Sequence, residues 1–125
     1  MTRDTRQKRA IRSAFERANR PLSPEQARSE AARESAGLGI ATVYRTVRSL
    51  LEDGQLSLVD IPGRGTYYEL AGKGHHHHFA CEDCGAVFEL EGCNSGIYDR
   101  LPLGFCTRGH DVTIFGSCAG CSRGR

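Results

Sequence analysis

The sequence predicts an α+β chain in two parts: an N-terminal winged helix-turn-helix, then a small α/β unit that holds one zinc ion on four cysteines. Three observations predict it. Helical periodicity fills the front of the chain, two short strand-like runs around a turn follow, and two Cys-x2-Cys pairs, Cys81/Cys84 and Cys118/Cys121, frame the rest. All six cysteines and all five histidines lie after Gly74. The composition therefore breaks at 71–74 (Ala-Gly-Lys-Gly), and the predicted domains are 1–71 and 75–125 with a small-residue hinge between them.

In the front half, Thr5 to Ala18 carries Ile11, Ala14, Phe15 and Ala18 at helical spacing. Ser23-Pro24-Glu25-Gln26 combines a capping serine, a proline at the first helical position and a glutamine three residues after the cap, which starts a second helix. It runs to about Ser35, with Gly37 as the stop. The third helix, Ile40 to Asp53, collects Ile40, Val43, Val47, Leu50 and Leu51 on one side; Ala41, Tyr44, Arg45 and Arg48 fall on the other, and Gly54 ends it. Leu56–Asp60 and Thr66–Leu70 read as strands joined by a turn (61–65) with Arg64 at its tip. In the back half, Phe79–Cys81, Ala86–Glu91 and Val112–Phe115 have strand composition, and Ile97–Leu101 reads as a short helix.

Three helices followed by a basic-tipped hairpin form a winged helix, whose third helix reads base edges while the wing meets backbone. The charge agrees. The net charge is +2, but residues 1–73 hold 13 Lys and Arg against 9 Asp and Glu, and the remainder hold 4 against 6. Thr42, Tyr44, Arg45 and Arg48 are the candidate DNA contacts on the third helix, with Lys8, Arg9, Arg12 and Arg64 adding salt-sensitive affinity. No run of about 18 apolar residues is present, and the N-terminus lacks an apolar signal core, so the expectation is a cytoplasmic protein without a membrane partner. In a reducing compartment the Cys-x2-Cys pairs read as metal ligands rather than disulfides.

Four thiolates close a zinc shell and leave no position open for chemistry, so the Cys81, Cys84, Cys118 and Cys121 site is structural. The run His75 to His78 is surplus to it and points to a second metal. Successive side chains of an extended segment face opposite ways, so His75 and His77 serve one site while His76 and His78 serve another. A hydrolytic zinc is disfavoured because no His-Glu-x2-His is present. A zinc-buffering metallochaperone would use the histidines but has no need of the basic third helix and wing.

The segment Ile40-Ala41-Thr42-Val43-Tyr44-Arg45-Thr46-Val47, the strand end Tyr68-Glu69-Leu70, the four histidines leading through Phe79-Ala80 into Cys81-x2-Cys84-Gly85, and His110 eight residues before Cys118 together resemble the ferric uptake regulator family, from about Thr5 to Cys121. The resemblance implies a homodimeric, metal-dependent transcriptional repressor that binds double-stranded operator DNA, has no small-molecule substrate and is not an enzyme. Its C-terminal α/β domain would be the dimerisation domain. Tyr44 and Arg45 match the family's DNA-contacting pair. A hinge-side regulatory site matches Glu69, His76, His78 and Glu89; a site within the dimerisation domain matches His75, His77 and His110 plus a carboxylate from the next helix.

The chain departs from the family pattern twice. Pro21 stands where the hinge-side site has a histidine, and proline cannot ligate. The segment between Glu89 and His110 is about three residues short, so the helix carboxylate has no counterpart; Glu91 and Cys93 are the nearest candidates. Cys93 would complete a His3Cys set, which favours Zn2+ over Fe2+ or Mn2+ as the second, regulatory metal. The other reading of Cys93 is a small buried hydrophobe. Cys106, beside Phe105, reads as core. An iron- or manganese-responsive regulator is the alternative, since Glu69, Glu89 and the histidines form a harder donor set.

Overall fold

The computed structural model describes residues 3–93 and 95–123, with side chains described from Arg6 onward except at Ser95. Helices α1 (Arg3–Ala18), α2 (Pro24–Ala31) and α3 (Ile40–Glu52) precede a hairpin of β1 (Leu56–Ile61) and β2 (Gly65–Leu70). Then come β3 (His77–Cys81), β4 (Val87–Leu90), a 3-10 turn at Ser95–Arg100, β5 (Thr113–Gly116) and α4 (Ala119–Ser122).

The capping box forms as read. Ser23 Oγ accepts from the Gln26 N–H, and Gln26 Oε1 accepts from the Ser23 N–H. Helix α2 ends at Ala31, earlier than Ser35, because the following amides tighten into turns onto Glu30 and Ala31 carbonyls before Gly37 reverses the chain at φ +81°. Helix α3 buries Val43, Val47 and Leu50 and leaves Ala41, Tyr44, Arg45 and Arg48 exposed. These side chains join Ile11, Ala14, Phe15, Leu22, Ala27 and Leu38 in the main core. Phe15 sits at its centre and is 1% exposed. Phe15→Ala should cost ~3–5 kcal/mol, measured by urea denaturation; a cost below ~1 kcal/mol would mean the core closes without it.

The hairpin is covered on both faces, and the period-2 alternation of strands explains how. In β2, Tyr68 and Leu70 pack on the helices, while Tyr67 and Glu69 point the other way. Val59 and Ile61 of β1 share that second face and meet Ala80 and Val87, so a second core lies between the wing and the C-terminal sheet. The sheet order is β4-β3-β5, with β3 antiparallel to β4 and parallel to β5. Cross-strand partners share a face. His78, Ala80, Val87 and Glu89 therefore look toward the wing, while His77, Phe79, Phe88 and Leu90 look away.

Several boundaries move. Strand β3 begins two residues earlier than read, at His77, since His77 and His78 pair with Leu90 and Glu89. The helix-like segment 97–101 is a 3-10 turn starting at Ser95, and α4, too short for a periodic signal, carries Cys121. Cys106 is not core: it is exposed, as are all of residues 101–109. That segment has no secondary structure and two positive-φ glycines, Gly104 and Gly109, so nothing folds it back under the sheet.

Candidate metal centres and nucleic-acid interface

The parallel pairing of β3 with β5 assembles the first centre. Cys81 closes β3 opposite Gly116, so the chain leaving β5 delivers Cys118 beside it, and one turn of α4 adds Cys121. The Sγ atoms of Cys81, Cys84, Cys118 and Cys121 all lie within 4.8 Å of one another. The Cys118 N–H donates to Cys81 Sγ at 3.3 Å, which leads the causes holding that thiol down at about 6. Cys121 is pushed up to about 12 by its hydrogen bonds with Cys118 and Cys81. Four thiols this close cannot all ionise unaided, and a divalent cation at their centre removes that penalty. The donor set fits zinc.

The knuckle loop also docks on the winged half. Gly85 O accepts from Tyr67 Oη at 2.8 Å and from Gln26 Nε2 at 3.1 Å, and Glu82 O accepts from Arg64 Nη2 at 2.8 Å. Arg64, at the tip of the wing turn, is thereby held on the cysteine loop.

A second centre gathers His75, His77, Cys93 and His110. His110 Nε2 lies 3.1 Å from His75 Nε2, 3.0 Å from His77 Nε2 and 2.9 Å from Cys93 Sγ. Tyr98 Oη bonds the opposite nitrogen, His110 Nδ1, which fixes the ring so that Nε2 faces the other three donors. Sequence reasoning gave Tyr98 no role; its place in the predicted short helix upstream of His110 was the available signal. The basicity of His77 is lowered by burial and by the neighbouring His75 and His110, a shift toward the neutral imidazole, the form that ligates. Cys93 is exposed, which rules out the buried-hydrophobe reading. Glu91 is exposed too and joins none of the clusters found among the described residues.

The third cluster is Glu69, His76 and His78. His76 Nε2 lies 2.9 Å from Glu69 Oε1, and His78 Nε2 lies 3.5 Å from Glu69 Oε2. Burial and a hydrogen bond to Glu89 raise the Glu69 carboxyl above its ordinary value. Glu89 itself is taken up by an ion pair with Lys73 and is not among the clustered ligands.

On the helical side, Tyr44 is 44% exposed and its phenol donates to Glu25 Oε1 at 3.0 Å. That bond, and the carboxylate charge, raise the phenol's pKa above its ordinary value. Arg45 Nη2 donates to Thr42 Oγ1 at 3.1 Å. Arg45, Arg48, Arg9 and Arg12 are exposed. Lys8 is not a free cation: it ties α1 to α3 through Ser49 Oγ at 3.0 Å and Asp53 at 2.9 Å.

A model of the ferric uptake regulator family matches residues 1–113. The chain belongs to the ferric uptake regulator family. Members of this family are metal-responsive regulators of transcription that bind operator DNA and divalent metals. The regulator is 32% identical to the ferric uptake regulation protein of Campylobacter jejuni, over 94% of this chain and 78% of that one. It is 29% identical to the zinc uptake regulation protein of Mycobacterium tuberculosis, over 95% and 94% of the two chains. Its fold matches a zinc-bound manganese uptake regulator with a TM-score of 0.79 at 25% identity, over 94% of this chain and 89% of that one. The fold is the winged helix-turn-helix followed by a small α/β domain that the sequence predicts, and its cysteine cluster is consistent with a structural zinc. The names of these relatives span three metals, so the metal sensed has to be argued from the ligands.

Proposed function

We propose that this regulator is a zinc-responsive, homodimeric repressor acting on DNA in the cytoplasm, switched by metal at His75, His77, Cys93 and His110. One observation carries the reading: a thiol and two imidazoles converge on the Nε2 of a third imidazole, His110. A thiolate with three neutral nitrogens suits Zn2+ in tetrahedral coordination, whereas Fe2+ and Mn2+ favour carboxylates and higher coordination numbers. Glu69, His76 and His78 are the observation that favours the iron or manganese alternative, being an oxygen and nitrogen set.

The chain divides, in this reading, into a DNA-binding part (1–71) and a metal-binding dimerisation part (75–125). Cys93 and His110 lie in segments without regular structure, whereas His77 lies in β3. Metal therefore draws two loops onto the start of the central strand β3 and orders them. Support for the dimer comes from the apolar surface of the same region. Leu103, Phe105, Ile114 and Phe115 are exposed, and β5 is an edge strand. Ordering these segments in both protomers sets the spacing of the two α3 helices, so metal and DNA affinity are coupled reciprocally, by ~1–3 kcal/mol in typical systems. Tyr44 and Arg45 then meet base edges, and Arg9, Arg12 and Arg48 meet phosphates.

The test is metal content per protomer, with operator binding titrated against Zn2+, Mn2+ and anaerobic Fe2+. One resident zinc and a second that switches DNA binding on is the expected result. Activation by Fe2+ or Mn2+ alone would replace the zinc reading with the iron-type one. Cys93→Ser should weaken the switching zinc by more than the roughly 10–100-fold typical of losing an outer-shell partner while the resident zinc stays. Unchanged zinc sensitivity in that variant would remove Cys93 from the site.

A further inference from the structure

The third cluster differs from the other two in what surrounds it. Glu69, His76 and His78 offer one carboxylate and two imidazoles, and the nearest carboxylate able to add to them is Glu89, which is hydrogen-bonded to Glu69. Glu89 is already committed. Its Oε1 is ion-paired with Lys73 Nζ, the two side chains being 23% and 21% exposed for Lys73 and Glu89. The same ammonium lies 3.4 Å from Asn19 Oδ1, just past the end of α1, so one cation reaches both the helical part and the sheet. On the other face of β4, the Arg20 guanidinium carbon is 5.5 Å from the Phe88 ring centroid. Pro21, next in the chain, is buried and offers no donor atom.

We propose that Lys73 takes the place of a metal at this hinge: its ammonium masks Glu89, links Asn19 to β4 whatever the metal supply, and leaves Glu69, His76 and His78 a weak three-donor site. A divalent cation that recruited Glu89 would strand a part-buried ammonium without its partner. It would also bind within a few ångströms of that positive charge. Both effects oppose loading. The metal response is thereby confined to the Cys93 centre. This inference takes Glu69, His76 and His78 as metal ligands, and it stands apart from the identity of the metal at Cys93.

The test titrates the full-length, zinc-retaining protein with Co2+ alone, monitoring zinc release. Thiolate-to-cobalt charge transfer reports the Cys93 centre, whereas the oxygen and nitrogen donors of the hinge give only ligand-field bands. The wild type should fill one charge-transfer site per protomer and bind a second Co2+ at least about tenfold more weakly than Lys73→Met does. Lys73→Arg should behave as wild type, and adding Glu89→Gln to Lys73→Met should abolish the gain. Lys73→Gln repeats the comparison should the methionine variant fail to fold. Equal second-site affinity in wild type and the neutral variants would overturn the proposal, as would a gain that survives Glu89→Gln. Absence of the charge-transfer band would count against the Cys93 centre instead and leaves the second-site comparison readable.

Discussion

Reversing the charge at Arg45 to glutamate should lower operator affinity by about 100-fold or more and leave the melting temperature where it was. Helix α3 is anchored by Val43, Val47 and Leu50, all on the face opposite Arg45. The guanidinium is exposed and its one side-chain partner among the described residues is Thr42 Oγ1, on its own helix. Losing that bond costs the fold little, since exposed substitutions usually stay within ~0.5 kcal/mol. Losing a guanidinium contact to base or phosphate costs ~1–3 kcal/mol, and the proposed homodimer would present two copies. Fluorescence anisotropy at one fixed salt concentration, alongside a thermal melt, separates the two effects. Full affinity in Arg45→Glu would show that α3 is not the reading helix. Arg12→Glu is the internal comparison: Arg12 lies on α1, 3.8 Å from Glu16, and its loss should weaken all DNA sequences alike by a smaller factor.

Cys118→Ser should cost the protein its resident zinc and with it the ordered C-terminal sheet. Structural zinc contributes ~10–16 kcal/mol in small zinc modules, as much as or more than the ~5–15 kcal/mol net stability of a typical domain. The described part of the sheet has three short strands, and its buried side chains are few: Ala80 and Val87 against the wing, with Cys81 and His77. The damage should travel further, because the Cys81–Gly85 loop carries the hydrogen bonds to Gln26, Arg64 and Tyr67. Hydrogen exchange should therefore quicken in β3 and β5, and in β1 and β2 as well. Helices α1 to α3 have their own core and should keep most of the helical circular dichroism signal. Retention of one zinc per protomer in Cys118→Ser, or exchange confined to residues after Gly74, would contradict this account of the knuckle.

How far the sequence could be read depended on the distance over which each feature is encoded. The Ser23/Gln26 capping box, the buried face of α3 and the hairpin are set by residues a few positions apart, and they formed as the periodicity indicated. Glu25, close to the helix cap, was given no part, yet its carboxylate holds the Tyr44 phenol across the gap between α2 and α3. Arg64 and Lys8 were read as cations of the basic half, without the intramolecular bonds that hold them. Both are bonded to partners 18 and 41 or more positions away, Glu82 for Arg64, Ser49 and Asp53 for Lys8. Cys106 was misjudged for the opposite reason: an apolar neighbour is a local signal, and Phe105 is itself exposed.

By itself, then, the sequence determined the winged helix, the four-cysteine set and the division of the histidine run into two alternating pairs, because caps, helical and strand periods, and Cys-x2-Cys spacing act within a turn or two of chain. Only the tertiary structure brings Cys93, and not Glu91, beside His110, since that turns on where the parallel pairing of β3 and β5 delivers His110. Only it revealed Tyr98 behind His110, and Lys73 on Glu89. Those contacts join residues 12 and 16 positions apart, across turns that no period in the sequence spans to fix which side chains meet.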